Sequence, residues 1–282
     1  MGTAGETAGF DRPAAIVCGF ARTRGSMNHA VAQKQGLGDR LIAALRRDEF
    51  VLYAQRIVPL AKSAEERPFQ EILIRFQEEE TKLLPPGSFF PVLEECGLLP
   101  WIDRWVVARI AKWVRSALTI MSGWPVPCNG INLSAATLSD PNFAEHVLTQ
   151  LRGAVLPAGT LSFEITCDSA RGRVSSLQQL MAQLRPEGCR FVLARFDAGP
   201  DACELLAQLL PEFVKLSPSL VRMLDGGAAG LKRLDTINRD CHRRGVRTIA
   251  EHVESDQTLA QLRALGVDYG QGFGIEAPRL LS

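Results

Sequence analysis

From about residue 130 to the C-terminus, short strand-like runs alternate with longer segments of helical periodicity. No other feature restricts the fold as much. Residues 130–134, 161–166, 190–193, 213–216, 246–251 and 267–271 read as strands. Helices are expected over 142–152, 174–185, 201–209, 228–244 and 256–264. Such alternation gives a parallel sheet with helical crossovers. Upstream, 50–55 and 70–76 are also strand-like, and Leu41, Ile42 and Leu45 indicate a helix running into the first strand. Ile102, Trp105, Val106, Ile110, Trp113 and Val114 recur as the buried stripe of a helix. About eight strands in about 240 residues predict an α/β chain closed into a TIM-type (β/α)8 barrel. No G-x-G-x-x-G follows the first strand, which argues against a dinucleotide-binding sheet.

Residues 37–282 are expected to form one barrel domain. Residues 1–36, rich in Gly, Ala and Ser without sustained periodicity, are expected to be an N-terminal arm or linker. The 32 Lys and Arg nearly balance 31 Asp and Glu. That balance excludes a general nucleic-acid or anionic-membrane binder, but not a small anion held by local cations. No apolar run approaches the ~20 residues of a membrane span, and the stretch 14–20 lacks the basic start of a signal peptide. Seven cysteines, odd in number and without C-x-x-C, read as reduced core residues of a cytoplasmic protein.

Polar residues interrupt these apolar strands at one end of the expected barrel, where barrel sites form. Glu71, Asn132, Glu164, Lys215, Glu251 and Gln271 each lie in or at the end of a different strand. A single Glu ending a strand is ordinarily a solvated loop residue, but repetition from strand to strand marks a site. Glu71, Asn132, Glu164 and Glu251 carry oxygen donors suited to a hard divalent cation, and Lys215 could hold a phosphate or a water. His29, His146, His242 and His252 have no partner spacing, so no histidine metal site is expected.

Read in order, these segments resemble the EAL domain family of cyclic-di-GMP phosphodiesterases. Glu71-Ile72-Leu73, with Arg75 after it, matches the motif that names the family, and Tyr53-Ala54-Gln55 resembles its Tyr-Gln-Pro strand. The segment 86–98, Ile131-Asn132-Leu133-Ser134, Phe163-Glu164-Ile165-Thr166, Val214-Lys215-Leu216, Ala250-Glu251-His252-Val253-Glu254 and Gln271-Gly272-Phe273 follow at matching spacing. The resemblance implies a modified TIM barrel with one strand running against the rest. It also implies hydrolysis of cyclic di-GMP to pGpG with two Mg2+ or Mn2+ ions, and nucleotide contacts from Gln55, Leu73, Arg75, Glu251 and Gln271. A homodimer is a further implication.

The departures from the family pattern bear on function. Ala194 and Arg195 stand where the family has paired metal-binding aspartates. Two anionic ligands are thereby lost and a cation without a lone pair is gained. Glu71, Asn132, Glu164 and Glu251 are left as residual weak metal candidates, so no bound metal or other cofactor is expected. Cys167, Ser217, His252 and Ala277 also depart from the pattern, as does Glu79 in the acidic run 78–80, expected to be a solvated loop. Arg195 is expected to project among Glu71, Glu164 and Glu251 and pair with at least one of them. The expected function is therefore a catalytically degenerate EAL domain. It would act as a cyclic-di-GMP receptor or through a regulatory protein partner, with residual metal-dependent phosphodiesterase activity as the alternative.

Overall fold

The computed structural model describes residues 29–60, 67–79, 82–121, 123 and 125–281. Helix α1 (His29–Arg47) leads into strand β1 (Phe50–Pro59), and β2 (Phe69–Glu79) returns antiparallel to it, pairing Gln55 with Glu71. Then come β3 (Lys82–Leu84), α2 (Pro86–Glu95) and α3 (Leu99–Ile120). The regular alternation follows: β4 (Cys128–Asn132), α4 (Phe143–Ala154), β5 (Leu161–Thr166), α5 (Cys167–Ala170), α6 (Val174–Leu184), β6 (Arg190–Phe196), α7 (Pro200–Leu209) and β7 (Phe213–Leu216). After these are α8 (Pro218–Arg222), α9 (Ala228–Arg243), β8 (Arg247–Ala250), α10 (Asp256–Ala264), β9 (Tyr269–Gly270) and β10 (Arg279–Leu280).

Strands β2, β4, β5, β6, β7, β8 and β9 pair in parallel in that order. Strand β1 closes the circle, antiparallel to both β2 and β9. The result is the expected eight-stranded barrel with one reversed strand. Short β3 and β10 extend β2 and β1 as an antiparallel ribbon.

Side chains alternate across a strand, so each barrel strand serves two cores. Inside the barrel lie Ile57, Phe69, Cys128, Val192, Phe213, Ile249 and Tyr269, from seven different strands. The rings of Phe69 and Phe213 are 5.2 Å apart, and Phe213 meets Tyr269 edge-on at 5.8 Å. The intervening residues, among them Ile72, Ile131, Phe163, Phe191 and Val214, face outward into a larger core shared with the helices. Of the expected α3 stripe, Ile102, Trp105, Val106, Ile110 and Val114 are buried and Trp113 packs at the margin. Local signals agree with helix starts: Pro occupies the first turn of α2, α7 and α8, and Ser255 caps α10 by accepting from Thr258 N at 3.1 Å.

Some expectations need correction. Helix α1 begins at His29, so residues 29–36 are helical rather than part of a loose arm; residues 1–28 lie outside the described residues. Glu78 and Glu79 belong to β2 and not to a loop, because β2 overruns the barrel and pairs with β3. Cys128, Cys167, Cys189, Cys203 and Cys241 form no disulfide, but Cys96 is disulfide-bonded, so the reduced reading does not hold for it. Among the described residues no helix is long and apolar enough to cross a membrane.

Candidate functional site

The site follows from strand periodicity. Two residues beyond each inner-core residue, the same face of the strand reaches the barrel mouth. Phe69 is thus followed by Glu71, Phe213 by Lys215, Ile249 by Glu251, Tyr269 by Gln271 and Val192 by Ala194. On β4, Cys128 is followed by Gly130 and then Asn132. On reversed β1 the counterpart precedes the core residue: Gln55 lies two before Ile57. Glu71 lies early in β2, not at its end, because β2 continues outward past the mouth.

Lys215 is fully buried at the centre. Its Nζ lies 2.6 Å from Glu164 Oε2, 2.8 Å from Glu71 Oε2 and 3.9 Å from Glu251 Oε1. Glu71 is also held by Asn132 Nδ2 on Oε1 and Gln271 Nε2 on Oε2, both at 2.7 Å. Gln271 donates as well to Gln55 Oε1 at 3.0 Å, and Gln55 donates to the Glu276 carbonyl at 3.0 Å. The structure therefore joins Gln55, Glu71, Asn132, Glu164, Lys215, Glu251 and Gln271 in one hydrogen-bonded and ionic cluster.

The members are electrostatically unequal. Burial would raise the Glu71 carboxyl, but the Lys215 charge, with hydrogen bonds from Lys215, Asn132 and Gln271, holds it below its usual range. Glu164 is pushed up to about 8, first by burial and then by repulsion from Glu71 and Glu251, against the pull of Lys215. Its Oε1 is buried without a hydrogen-bond partner. Burial also raises Glu251, opposed by Lys215, His252 and Arg195. For Lys215, burial works against the charge, but three surrounding carboxylates outweigh it and keep the ammonium protonated.

Arg195 corrects the expectation made for it. It is exposed and forms no hydrogen bond or ion pair with any described residue, so Lys215 alone, and not Arg195, sits among the glutamates. Its backbone has φ +54°, and the β6–β7 ladder is interrupted between Leu193 and Phe196, which breaks the regular alternation of side chains there. Asp197 does not join the cluster: its Oδ1 accepts from Gly199 N at 2.9 Å.

Leu73 and Arg75 share the Glu71 face of β2, further out. Arg75 lies over the Tyr53 ring at 5.7 Å and donates to the Ile74 carbonyl at 2.9 Å. Two contributors escaped the sequence reading. Gly130 makes room for the Glu164 carboxylate, since a Cβ there would overlap Oε1; a glycine inside a strand was the available signal. Asp103 of α3 anchors the loop after β4, accepting from Ser134 N at 2.8 Å and Thr137 Oγ1 at 2.5 Å, and burial pushes its carboxyl up to about 6. Its spacing, four residues after Leu99 and three and seven before Val106 and Ile110 on the buried stripe of α3, was the available signal. Among the described residues no group of three or more His, Cys, Asp or Glu is arranged to hold a metal ion.

A barrel closed by one reversed strand, with glutamates and a lysine converging at its mouth, defines a TIM-like α/β domain built around an anionic cluster. The chain belongs to the EAL domain family, whose signature matches residues 39–278. It is 29% identical over 243 residues to the cyclic di-GMP phosphodiesterase PdeB of Shewanella oneidensis, covering 86% of this chain and 28% of that protein. It is 27% identical over 260 residues to the cyclic di-GMP phosphodiesterase PdeF of Escherichia coli, covering 92% of this chain and 34% of that one. The chain thus spans about a third of the length of these curated relatives. Among solved structures, the FimX EAL domain of Pseudomonas aeruginosa bound to c-di-GMP superposes with a TM-score of 0.79 at 26% identity, over 86% of this chain and 96% of that one. The Xanthomonas citri FimX EAL domain in complex with c-diGMP gives 0.81 at 24% identity, over 89% and 96%, and shows the shared fold.

Proposed function

We propose that this EAL domain is a cyclic-di-GMP receptor that binds the nucleotide without hydrolysing it. One observation carries the reading: at the end of β6 the mouth is lined by the Ala194 methyl group, followed on the rim by Arg195, where a two-ion site needs carboxylates. The remaining donors fit a metal poorly. Asn132 presents its amide N–H to Glu71, and Lys215 takes up one oxygen each of Glu71 and Glu164. A divalent cation would have to displace that ammonium. Support for the ligand comes from the FimX EAL domain bound to c-di-GMP, and from Gln55, Leu73, Arg75, Glu251 and Gln271 at the positions the resemblance assigns to nucleotide contacts.

The test is calorimetric titration of cyclic di-GMP into the chain with EDTA and again with Mg2+, followed by chromatography of the mixture. Metal-independent binding and intact nucleotide are expected. Turnover near or above ~1 s⁻¹ with Mg2+ or Mn2+ would overturn the reading. A regulatory protein partner is the second reading. It is favoured by Phe273, which lies 73% exposed two residues beyond Gln271.

A further inference from the structure

The mouth is short of positive charge. Glu71, Glu164 and Glu251 converge there on the single ammonium of Lys215, which is fully buried and already engaged by two of them. An anionic ligand entering this mouth meets carboxylates before it meets a cation, unless the rim supplies one. Two guanidiniums stand on the rim without a carboxylate partner. Arg75 projects from β2, over Tyr53. Arg195 follows Ala194 at the end of β6, exposed and without hydrogen bond or ion pair to any described residue. Strands β4 and β5 lie between β2 and β6, so the two cations approach from different sides of the barrel.

Arg195 directly follows Ala194, the inward-facing residue at the mouth end of β6, so it stands on the rim. Its backbone is held in the left-handed region, a conformation that costs a non-glycine residue roughly 1–2 kcal/mol. A planar guanidinium with five donors, free and beside an acidic mouth, is matched to the non-bridging oxygens of a phosphodiester.

We propose that Arg195 is a phosphate-binding residue, supplying from β6 the positive charge that pairs with a phosphodiester of a nucleotide seated in the mouth. This rests on the receptor reading above and adds a residue at which the EAL pattern has an acid. Lys215 then serves as the internal counter-ion of the glutamates, and Arg195 and Arg75 as the external counter-ions of the ligand.

The test is titration of cyclic di-GMP, in EDTA, into the parent chain and into Arg195→Gln and Arg195→Lys, with thermal unfolding of each. Arg195 is exposed and forms no hydrogen bond or ion pair with any described residue, so all three are expected to unfold alike. Arg195→Gln is expected to lose about tenfold or more in affinity, and Arg195→Lys to recover part of it. Parent affinity is expected to fall with added salt more steeply than that of Arg195→Gln. If the parent binds and Arg195→Gln binds equally well, the assignment of Arg195 is wrong and the receptor reading stands. If the parent does not bind, both fall.

Discussion

Gly130 and Glu164 fit each other across neighbouring strands: the missing side chain of the one is the space filled by the carboxylate of the other. A Cβ at Gly130 would overlap Oε1 and lie 3.3 Å from Cδ of Glu164. Glu164 cannot swing to solvent, since it is buried and its other oxygen is held by Lys215. Gly130→Ala is therefore expected to destabilise the fold by about 1–3 kcal/mol, the usual range for overpacking. Urea unfolding checks this. The double variant with Glu164→Ala should show a strong non-additive rescue, and simple additivity would reject the steric account.

The Glu164 carboxyl, held up to about 8 against its ordinary 4.5, sets a pH dependence. Its folded-state value lies above its unfolded one, so its contribution is fully present below about 4.5 and is lost as pH rises through about 8. Glu71, held below its ordinary value, acts with opposite sign at more acid pH. Between about pH 5 and 8 the parent should lose stability, and Glu164→Gln, which cannot titrate, should lose less. Parallel stability curves for the two chains would contradict this.

Lys215 is the ammonium to which three glutamates converge. Lys215→Met leaves buried carboxylates without a cation and is expected to cost about 3–5 kcal/mol at neutral pH. The deficit should shrink on acidification, as the carboxyls take up protons. Chemical unfolding at two pH values measures both effects, and a pH-independent deficit would point to lost packing instead.

Arg75 is the outer guanidinium on the Glu71 face of β2. A charge-assisted phosphate contact is worth roughly 1.5–3 kcal/mol, so Arg75→Ala should weaken cyclic-di-GMP binding about tenfold or more in calorimetry. Unchanged affinity would remove Arg75 from the nucleotide contacts.

Val155 ends α4 at φ +51° and is 82% exposed, and His252 follows Glu251 at φ +56°. Glycine adopts this region without steric cost, whereas a β-branched residue is strained there. Val155→Gly is expected to stabilise by about 1 kcal/mol, or about 2–4 °C in Tm, and His252→Gly by less. A melting curve that shifts down for Val155→Gly would refute the strain argument.

Much of the site was legible because strand periodicity is strict. Once Phe69, Phe213 and Ile249 are interior, Glu71, Lys215 and Glu251 must share the mouth. The pairing was harder to read. Lys215 is one unremarkable letter in a four-residue strand, and only its inward direction, with Glu71 and Glu164 on both sides, makes it the partner that Arg195 was expected to be. The conformation of Arg195 depends on a ladder break and a positive φ, neither of which residue type reveals. Strands β3 and β10, three and two residues long, are too short to carry a pattern; they exist through their pairing with β2 and β1.

The reversal of β1 also decides where the chain comes and goes. In an all-parallel barrel the first strand starts at the base. Here Phe50 starts beside Phe76, on the mouth side of Glu71, and β10 returns to pair Leu280 with Tyr53 of the same strand. The first and last strands of the domain therefore meet next to the cluster. A neighbouring module joined after β10 would be tethered close to this rim, able to cover or open it without any signal crossing the barrel.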